Sequence, residues 1–376
     1  MVDALGGLAL HGTIQVAFPI YLVEGVFDES SPLRELSSGN VSSSARRLVF
    51  VDHNVWHYEQ NNISRYFDEN RTSSRIIIVS VEEDAKNEST LRQVLSEITR
   101  FDPLRRSEPV IVIGGGVLMD VVGFACSMYR RGIPYIRVPT TLIGQIDAGV
   151  GVKTGINVGG MKNRLGAYYA PLACLNDRTL LATLPKRQIA SGIAEAIKIA
   201  VVKDATLFEL IERHGVAALQ TRMANDASVS ITDRAIRGIV EELEPNLTEQ
   251  TLDRLADFGH TFSPRLELAM GMLHGEAVAI DIAISCALAH IKGFINLPIF
   301  LRVLRVLRSV ELPTDGHAID ANMLEEGLAE SIRHRNGRQR VALPVSIGEA
   351  VFANDITLTD LQNALSLLRQ THATQH

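Results

Sequence analysis

Cysteine is scarce in this chain of 376 residues, which has only Cys126, Cys174 and Cys286. An odd number of scattered cysteines excludes a disulfide framework and a cysteine-rich zinc site, and it is typical of a reducing compartment. An excess of positive charge is also missing, because 37 Lys and Arg against 43 Asp and Glu give a net charge of −6. We therefore expect a cytoplasmic protein with no nucleic-acid partner and no anionic membrane surface.

Uninterrupted apolar runs of membrane-spanning length are missing as well. The longest, residues 277–289, contains Asp281 and Ser285 and is shorter than the roughly 20 residues that cross a bilayer. Residues 1–12 form a loose leader without a basic stretch, so we expect no secretion signal. Hydrophobic residues make up 46% of the chain, which is ordinary for a globular protein, and the length accommodates two domains or one large domain.

Strand and helix patterns alternate in the first half of the chain. A strand is expected over residues 13–18, before a polar, serine-rich loop to residue 44. Further strand patterns lie at 47–52, 75–80, 110–113 and 135–139. Helical patterns lie at 55–67, at 88–100 and from near Val117 to Tyr129. This alternation predicts a Rossmann-like parallel sheet in an α/β domain, with ligands at the carboxyl ends of its strands.

Helical periodicity replaces this alternation near residue 180 and continues to Leu368, apart from a short strand pattern near 341–343. We therefore predict an α/β domain over residues 1–180 and a mainly α-helical domain over residues 181–376.

Three glycines, Gly114, Gly115 and Gly116, join the strand pattern at 110–113 to the helix that follows. Such a turn lets backbone N–H groups approach a phosphate and directs a helix N-terminus at its charge. It also serves simple chain reversal, and it is not the G-x-G-x-x-G fingerprint. The turn alone leaves both interpretations open.

A polar, glycine-rich segment over residues 144–166 contains cations and amides at close range. Its chemistry-bearing residues are Asp147, Lys153, Thr154, Asn157, Lys162 and Asn163. Lysines beside neutral hydrogen-bond donors suit a phosphate and polyhydroxyl ligand. A solvated surface loop is the alternative.

The second half offers one carboxylate and two imidazoles, Glu195, His260 and His274. This combination is usual at catalytic zinc sites and leaves a position open for a substrate hydroxyl. Helical spacing places Lys198 on the same face as Glu195. Without H-E-x-x-H spacing, the three residues could also be unrelated. Taken together, a dinucleotide, a metal and lysines would permit oxidation of a secondary alcohol followed by β-elimination of phosphate.

These segments resemble the sugar phosphate cyclase superfamily, whose best-known member is 3-dehydroquinate synthase. The resemblance rests on Gly-Gly-Gly-Val-Leu-Met-Asp (114–120), Val-Pro-Thr-Thr-Leu-Ile-Gly-Gln-Ile-Asp (138–147), Gly-Val-Lys-Thr-Gly-Ile-Asn (151–157) and Lys-Asn-Arg-Leu-Gly (162–166). Ser-Gly-Ile-Ala-Glu (191–195), Gly-His-Thr-Phe (259–262) and His-Gly-Glu-Ala (274–277) complete it in the same order. It implies a dehydroquinate synthase-like fold.

The resemblance also implies roles for individual residues. The metal ligands, for Zn or Co, would be Glu195, His260 and His274. NAD would lie against Asp52, Glu83, Lys86, Gly114, Gly115, Gly116, Asp120, Thr140, Thr141, Asp147 and Lys162. The substrate would contact Lys153, Lys162, Asn163, Lys198, Leu243, Asp257, Pro264 and Arg131. The catalytic residues would be Lys153, Lys198, Asp257 and His334. Arg131 would serve the neighbouring subunit's site, which implies a homodimer.

Several positions depart from dehydroquinate synthases. Where those enzymes have Asn and His around the first metal histidine, this chain has Asp257 and Pro264, and an expected Arg is Asp253. A Lys-Lys pair is replaced by Arg333-His334. Proline cannot transfer a proton, and the acids argue against a carboxylate-bearing substrate. A dehydroquinate synthase activity is therefore not expected.

The departures are similar to sedoheptulose 7-phosphate cyclases, and Leu243, Asp257 and His334 resemble the 2-epi-5-epi-valiolone synthases of C7-cyclitol biosynthesis. The resemblance implies transient oxidation by NAD, β-elimination of phosphate, re-reduction and an intramolecular aldol closure. Synthases of 2-epi-valiolone or desmethyl-4-deoxygadusol are alternatives within the superfamily. Outside it, the alternatives are a metal-dependent polyol dehydrogenase and a non-catalytic cyclitol-phosphate binding protein.

Overall fold

The computed structural model describes residues 10–38, 46–70, 73–80, 82–316 and 319–373. Its largest sheet has six parallel strands: β1 (Ile20–Val23), β2 (Arg46–Asp52), β3 (Ser73–Val79), β4 (Val110–Gly114), β5 (Tyr135–Pro139) and β8 (Ala173–Asp177). Their order across the sheet is β1-β8-β5-β4-β2-β3. The predicted parallel α/β sheet is confirmed.

Helices cover both faces of this sheet, because the central strands β2 and β4 present apolar side chains on both sides. On one face Phe50 and Val112 pack with α3 (Glu88–Phe101) and α4 (Gly116–Met128). On the other face Val51 and Ile111 pack with α1 (Pro32–Ser38) and α2 (His53–Glu69). Because all six strands are parallel, their carboxyl ends lie at one common edge of the sheet.

The glycine-rich segment is a folded unit. Residues Gly144–Ala148 form a π-helical turn, and β6 (Lys153–Val158) pairs antiparallel with β7 (Met161–Tyr168) in a hairpin. Gly155 and Gly166 face each other across it, where an added Cβ would lie 2.6 Å and 2.2 Å from the opposite strand's carbonyl oxygens. The buried Arg137 of β5 fixes the approach to the hairpin, since its guanidinium donates to the carbonyl of Gly151 at 2.6 Å.

The rest of the described chain is mainly helical, as predicted, and packs around one large apolar cluster. Its helices are α5 (Lys186–Val202), α6 (Ala205–Gln220), α7 (Asp226–Leu243), α8 (Ser263–Met270), α9 (His274–Ile291), α10 (Leu297–Ser309), α11 (Ala321–His334) and α12 (Leu358–Ala373). A two-stranded sheet of β9 (Val341–Ser346) and β10 (Glu349–Ala353) extends the strand predicted near 341–343.

Two local predictions are wrong. Residues 13–18 alternate like a strand, but the edge strand begins only at Ile20, and Ile14 is 91% exposed and pairs with no strand of the described chain. The serine-rich loop contains α1, whereas residues 39–45 of that prediction lie outside the described chain, as do residues 1–9 of the leader.

The apolar run at 277–289 belongs to a longer helix than the sequence pattern indicates. By length and hydropathy, α9 (18 residues) would suffice to cross a membrane, and 78% of it is buried inside the fold. It is the central helix of the large apolar cluster, which explains why it is apolar around its whole circumference.

Candidate active site

The three predicted metal ligands converge because α5 and α9 cross closely. Glu195 lies in the middle of α5, and His274 is the first residue of α9. At the crossing, the backbone N–H of Gly275 donates to Ser191 Oγ at 2.9 Å. A Cβ added at Gly275 would lie 2.0 Å from the carbonyl oxygen of Ser191, so only glycine permits this approach. The Ser-Gly-Ile-Ala-Glu and His-Gly-Glu-Ala segments are therefore two sides of one contact.

His260 approaches from the loop before α8. The buried carboxylate of Asp281, on α9, holds this loop by accepting hydrogen bonds from the backbone N–H groups of Phe262 (2.5 Å) and Ser263 (2.9 Å). His260 Nδ1 lies 3.2 Å from the carbonyl oxygen of Phe258. A proton donated there leaves Nε2 free to bind a metal.

The ligand atoms of Glu195, His260 and His274 all lie within 4.8 Å of one another. Glu195 Oε1 is 3.0 Å from His274 Nε2 and 3.8 Å from His260 Nε2. Glu195 is 2% exposed, and neither of its carboxylate oxygens has a hydrogen bond of good geometry. A buried carboxylate facing two imidazole nitrogens fits a divalent metal ion such as Zn²⁺ or Co²⁺.

A buried lysine, Lys198, lies next to the three predicted metal ligands. Lys198 Nζ lies 2.6 Å from Glu195 Oε2 and 3.9 Å from Asp147 Oδ2. Burial opposes the charge of both partners, but Asp147 and Glu195 raise the pKa of Lys198, and Lys198 with the imidazoles holds the pKa of Glu195 well below its usual range. Burial and the Lys198 charge lower the pKa of His260 to about 4, so this imidazole is neutral and available as a ligand.

The predicted dinucleotide residues line the carboxyl edge of the sheet. Gly114 ends β4, Gly115 precedes α4, and Gly116 begins that helix. An added Cβ would lie 3.2 Å from Asp52 Cβ at Gly114 and 3.1 Å from Thr141 Cγ2 at Gly115. The neighbouring Thr140 donates its N–H to the Gly114 carbonyl at 3.0 Å. Asp52, at the end of β2, accepts from the backbone of Asn54 at 2.8 Å and thereby caps α2.

Glu83, Lys86, Asp120, Lys162 and Asn163 form a network between this edge and the hairpin. The buried Lys86 Nζ lies 2.6 Å from both Asp120 Oδ2 and Asn163 Oδ1. Lys162 Nζ lies 3.4 Å from Glu83 Oε1. The segment is therefore a hairpin and not a plain loop, although β7 is mostly exposed.

Asp257 lies in a cluster of charges that the sequence did not reveal. Its carboxylate pairs with Arg254 (Nε–Oδ2 3.1 Å) and with the buried Arg335 (Nη2–Oδ2 2.7 Å). Glu249 pairs with both Arg254 and Lys153, so the hairpin lysine joins the same cluster. Although burial opposes ionisation, the two arginines lower the pKa of Asp257.

The remaining predicted residues are not equally close. A Cβ added at Gly151 would lie 3.8 Å from Leu243 Cδ1, which places Leu243 beside the lysine segment. The exposed His334 ends α11 next to Arg335, and the exposed Pro264 lies in the first turn of α8. Arg131 lies beyond the far end of α4, about 20 Å from the glycine turn at 1.5 Å per residue.

Four residues of the site were missed from the sequence: Glu249, Arg254, Glu267 and Arg335. Glu267 of α8 contacts both a predicted metal ligand, His274, and a predicted phosphate ligand, Lys162. None of the four stands in a motif of recognisable chemistry, and each is identified only by its partners. Arg254 directly follows Asp253, the position where an Arg was expected, and it was overlooked as a cation of the site. Asp253 itself pairs with Arg340 at 3.1 Å.

Comparisons with known proteins show to which family the chain belongs. The family profiles of the 3-dehydroquinate synthase N-terminal and C-terminal domains match residues 76–191 and 192–334. A 2-epi-5-epi-valiolone synthase of Streptomyces albus is 43% identical over 98% of this chain and 92% of its own length. A demethyl-4-deoxygadusol synthase of Trichormus variabilis is 40% identical over 95% of this chain and 88% of its own length.

Among solved structures, this chain is similar to ValA, a 2-epi-5-epi-valiolone synthase of Streptomyces hygroscopicus subsp. jinggangensis 5008 with NAD⁺ and Zn²⁺ bound. The TM-score is 0.93 at 39% identity, over 97% of this chain and 100% of that chain. Fold and site thus define an enzyme of the sugar phosphate cyclase class. Within this class, the chain belongs to the dehydroquinate synthase family, and the fold and family expected from its motifs are confirmed.

Proposed function

We propose that the chain is a sedoheptulose 7-phosphate cyclase that forms 2-epi-5-epi-valiolone and releases phosphate. It uses NAD transiently, oxidising and then re-reducing the substrate around a β-elimination, before an intramolecular aldol closure. Relatives that are 43% and 39% identical over nearly the whole chain support this activity, and one of them has NAD⁺ and Zn²⁺ bound. The ligand set of one carboxylate and two imidazoles accepts zinc and cobalt alike.

The observation that carries the proposal is the position of the metal set opposite the hairpin lysines. Glu195, on α5, is linked through Lys198 to Asp147, the acid that ends the segment 138–147 at the edge of the sheet. A sugar phosphate between them would place a hydroxyl at the metal set and its phosphate at Lys153, Lys162 and Asn163. A polyol dehydrogenase has no need of those phosphate-binding cations.

In this arrangement, the metal would polarise a substrate hydroxyl and NAD would accept and return a hydride. Glu195, His260 and His274 hold the metal, and Lys198 balances the buried charge of Glu195. Lys153 and Lys162 bind the phosphate and favour its departure. The glycine turn would hold NAD, together with Asp52, Glu83, Lys86, Asp120, Thr140, Thr141 and Asp147.

Substrate choice is assigned to Leu243, Asp257, Pro264 and His334. Asp257 pairs with both Arg254 and Arg335, so it acts on substrate hydroxyls together with these two arginines. Pro264 has neither a hydrogen-bond donor nor a proton to transfer. The departing phosphate therefore serves as its own base.

The location of the protein, its division into domains and its assembly belong to the same proposal. The chain is cytoplasmic and divides near residue 180 into an α/β and a helical domain. It works as a homodimer that binds a small sugar phosphate, with Arg131 serving the partner's site. The distance of Arg131 from its own glycine turn supports this exchange.

The test is incubation of the metal-loaded protein with sedoheptulose 7-phosphate and NAD⁺, followed by phosphate assay, NADH absorbance and product NMR. Stoichiometric phosphate release without net NADH is expected, and Glu195→Gln should abolish it. Accumulation of NADH without phosphate would instead identify a dehydrogenase. The exposed ion-pair variant Glu209→Gln is a matched control that should keep full activity.

A second candidate is the demethyl-4-deoxygadusol product, which the relative that is 40% identical favours. The same incubation separates the two, because the NMR spectrum identifies the cyclised product directly. Phosphate release accompanied by that product would replace the valiolone assignment without changing the proposed metal and NAD sites.

A further inference from the structure

Glu267 contacts both the metal set and the hairpin. It lies on α8 with 12% of its side chain exposed. One carboxylate oxygen, Oε2, is 3.3 Å from Nδ1 of His274, and the other, Oε1, forms an ion pair with Lys162 of the hairpin. The same lysine lies 3.4 Å from Glu83 at the sheet edge.

The two imidazoles of the metal set have different supports. His260 Nδ1 faces a neutral backbone carbonyl at 3.2 Å, whereas His274 Nδ1 faces the carboxylate of Glu267. A histidine that binds a metal through Nε2 donates its Nδ1 proton to such a partner, and a carboxylate makes the imidazole a stronger ligand. His274 Nε2 points at Glu195, 3.0 Å away, as this arrangement requires.

We propose that Glu267 is a positioning residue that orients His274 and couples metal binding to phosphate binding through Lys162. The inference rests on the metal site of the proposed function. In the ligand-free chain, Lys162 shares the carboxylate with His274. When Lys162 turns to a phosphate, Glu267 serves His274 alone. Metal and phosphate therefore strengthen each other's binding, by the same factor in both directions.

The experiment measures Zn²⁺ affinity of the metal-free full-length protein against a chromophoric chelator, with and without inorganic phosphate. Glu267→Gln, which keeps the shape and removes the charge, should weaken zinc binding about 10–100-fold. Lys162→Met should leave zinc affinity without phosphate unchanged or slightly higher. Phosphate should tighten zinc binding several-fold in the wild type but in neither variant, as the cycle of the two substitutions reveals.

Glu326→Gln is the matched control, because Glu326 of α11 pairs with Arg265 of α8 and does not touch His274. It should bind zinc like the wild type. If Glu267 merely ties α8 to the hairpin, Glu267→Gln and Lys162→Met will shift thermal unfolding alike and leave zinc affinity unchanged, which overturns the inference.

Further outcomes distinguish failure of the inference about Glu267 from failure of the proposed metal site. If Glu267→Gln does not fold, Glu267→Asp carries the test: its shorter reach should weaken zinc binding, and wild-type affinity would overturn the inference. If the wild type itself binds no zinc, the proposed metal site fails and the inference fails with it. Zinc binding that depends on Glu195 but not on Glu267 refutes the inference alone.

Discussion

The contact between Gly275 and Ser191 provides the sharpest prediction, since it sets the distance between α5 and α9. In Gly275→Ala, the new Cβ would lie 2.0 Å from the Ser191 carbonyl oxygen and 2.5 Å from its carbonyl carbon. Carbon atoms in comfortable contact are about 3.5–4.0 Å apart. Backbone atoms cannot rotate away, so the two helices must separate by on the order of 1 Å.

This separation has two measurable costs. Overpacking of this kind typically destabilises a protein by about 1–3 kcal/mol. Metal ligation is affected more strongly, because Glu195 is one helical turn beyond Ser191, His274 adjoins Gly275, and metal–ligand distances tolerate only about ±0.2 Å. We therefore expect Gly275→Ala to lower the unfolding midpoint of the metal-free protein and to lose most of its zinc affinity.

The assays are thermal unfolding of the metal-free protein and chelator competition for Zn²⁺. Gly327→Ala in α11 is the matched control: its Cβ would have its nearest neighbours at 3.4 Å, an ordinary contact. Replacing this helical glycine should stabilise the fold by about 0.5–1 kcal/mol and leave zinc binding intact. If Gly275→Ala keeps the wild-type midpoint and zinc affinity, the proposed geometric control of the site by this crossing is wrong.

Three further predictions concern buried or shifted charges. Burial and the charge of Arg254 lower the pKa of Lys153 to about 8, so kcat/KM should fall as pH rises through about 8. Lys153→Arg should move that fall to higher pH in a pH profile of kcat/KM. Lys198→Met removes the cation that pairs with the buried Glu195 and should destabilise the metal-free protein by about 3–5 kcal/mol. Zinc should raise the unfolding midpoint of this variant more than that of the wild type, and an equal rise in both would contradict this prediction. Burial raises the pKa of Asp281 to about 6, so the folded state binds this proton more tightly than the unfolded chain, and the resulting stabilisation is lost as pH rises through 6. An asparagine at this position would not titrate. In denaturant titrations, the unfolding free energy of Asp281→Asn should therefore rise relative to that of the wild type by on the order of 2 kcal/mol between pH 4 and pH 7.

Much of the fold was predictable because its signals are local. Strand β4 is apolar on both faces, and the sequence shows this as a continuous run of Val and Ile. The strand expected over 13–18 failed for the converse reason: alternation describes a residue pattern, whereas a strand also needs a partner, and the edge strand pairs with β8 only from Ile20.

The candidate site divides in the same way. Glu195, His260 and His274 carry their chemistry in their residue types and in short glycine-containing segments, so they were identified without coordinates. Glu249, Glu267 and Arg335 are ordinary surface-type charges in sequence, and only the folded chain brings them to Lys153, His274 and Asp257.

The sequence by itself determined the parallel sheet, the glycine turn, the helical second half and the types of ligand available to a metal and a phosphate. Periodicity and residue chemistry suffice for these, since both are properties of neighbours along the chain. Only the tertiary structure decided which charges share a partner. Ion pairs such as Glu267 with Lys162, 105 residues apart in sequence, depend on how α8 packs beside the hairpin, and no local pattern encodes that distance.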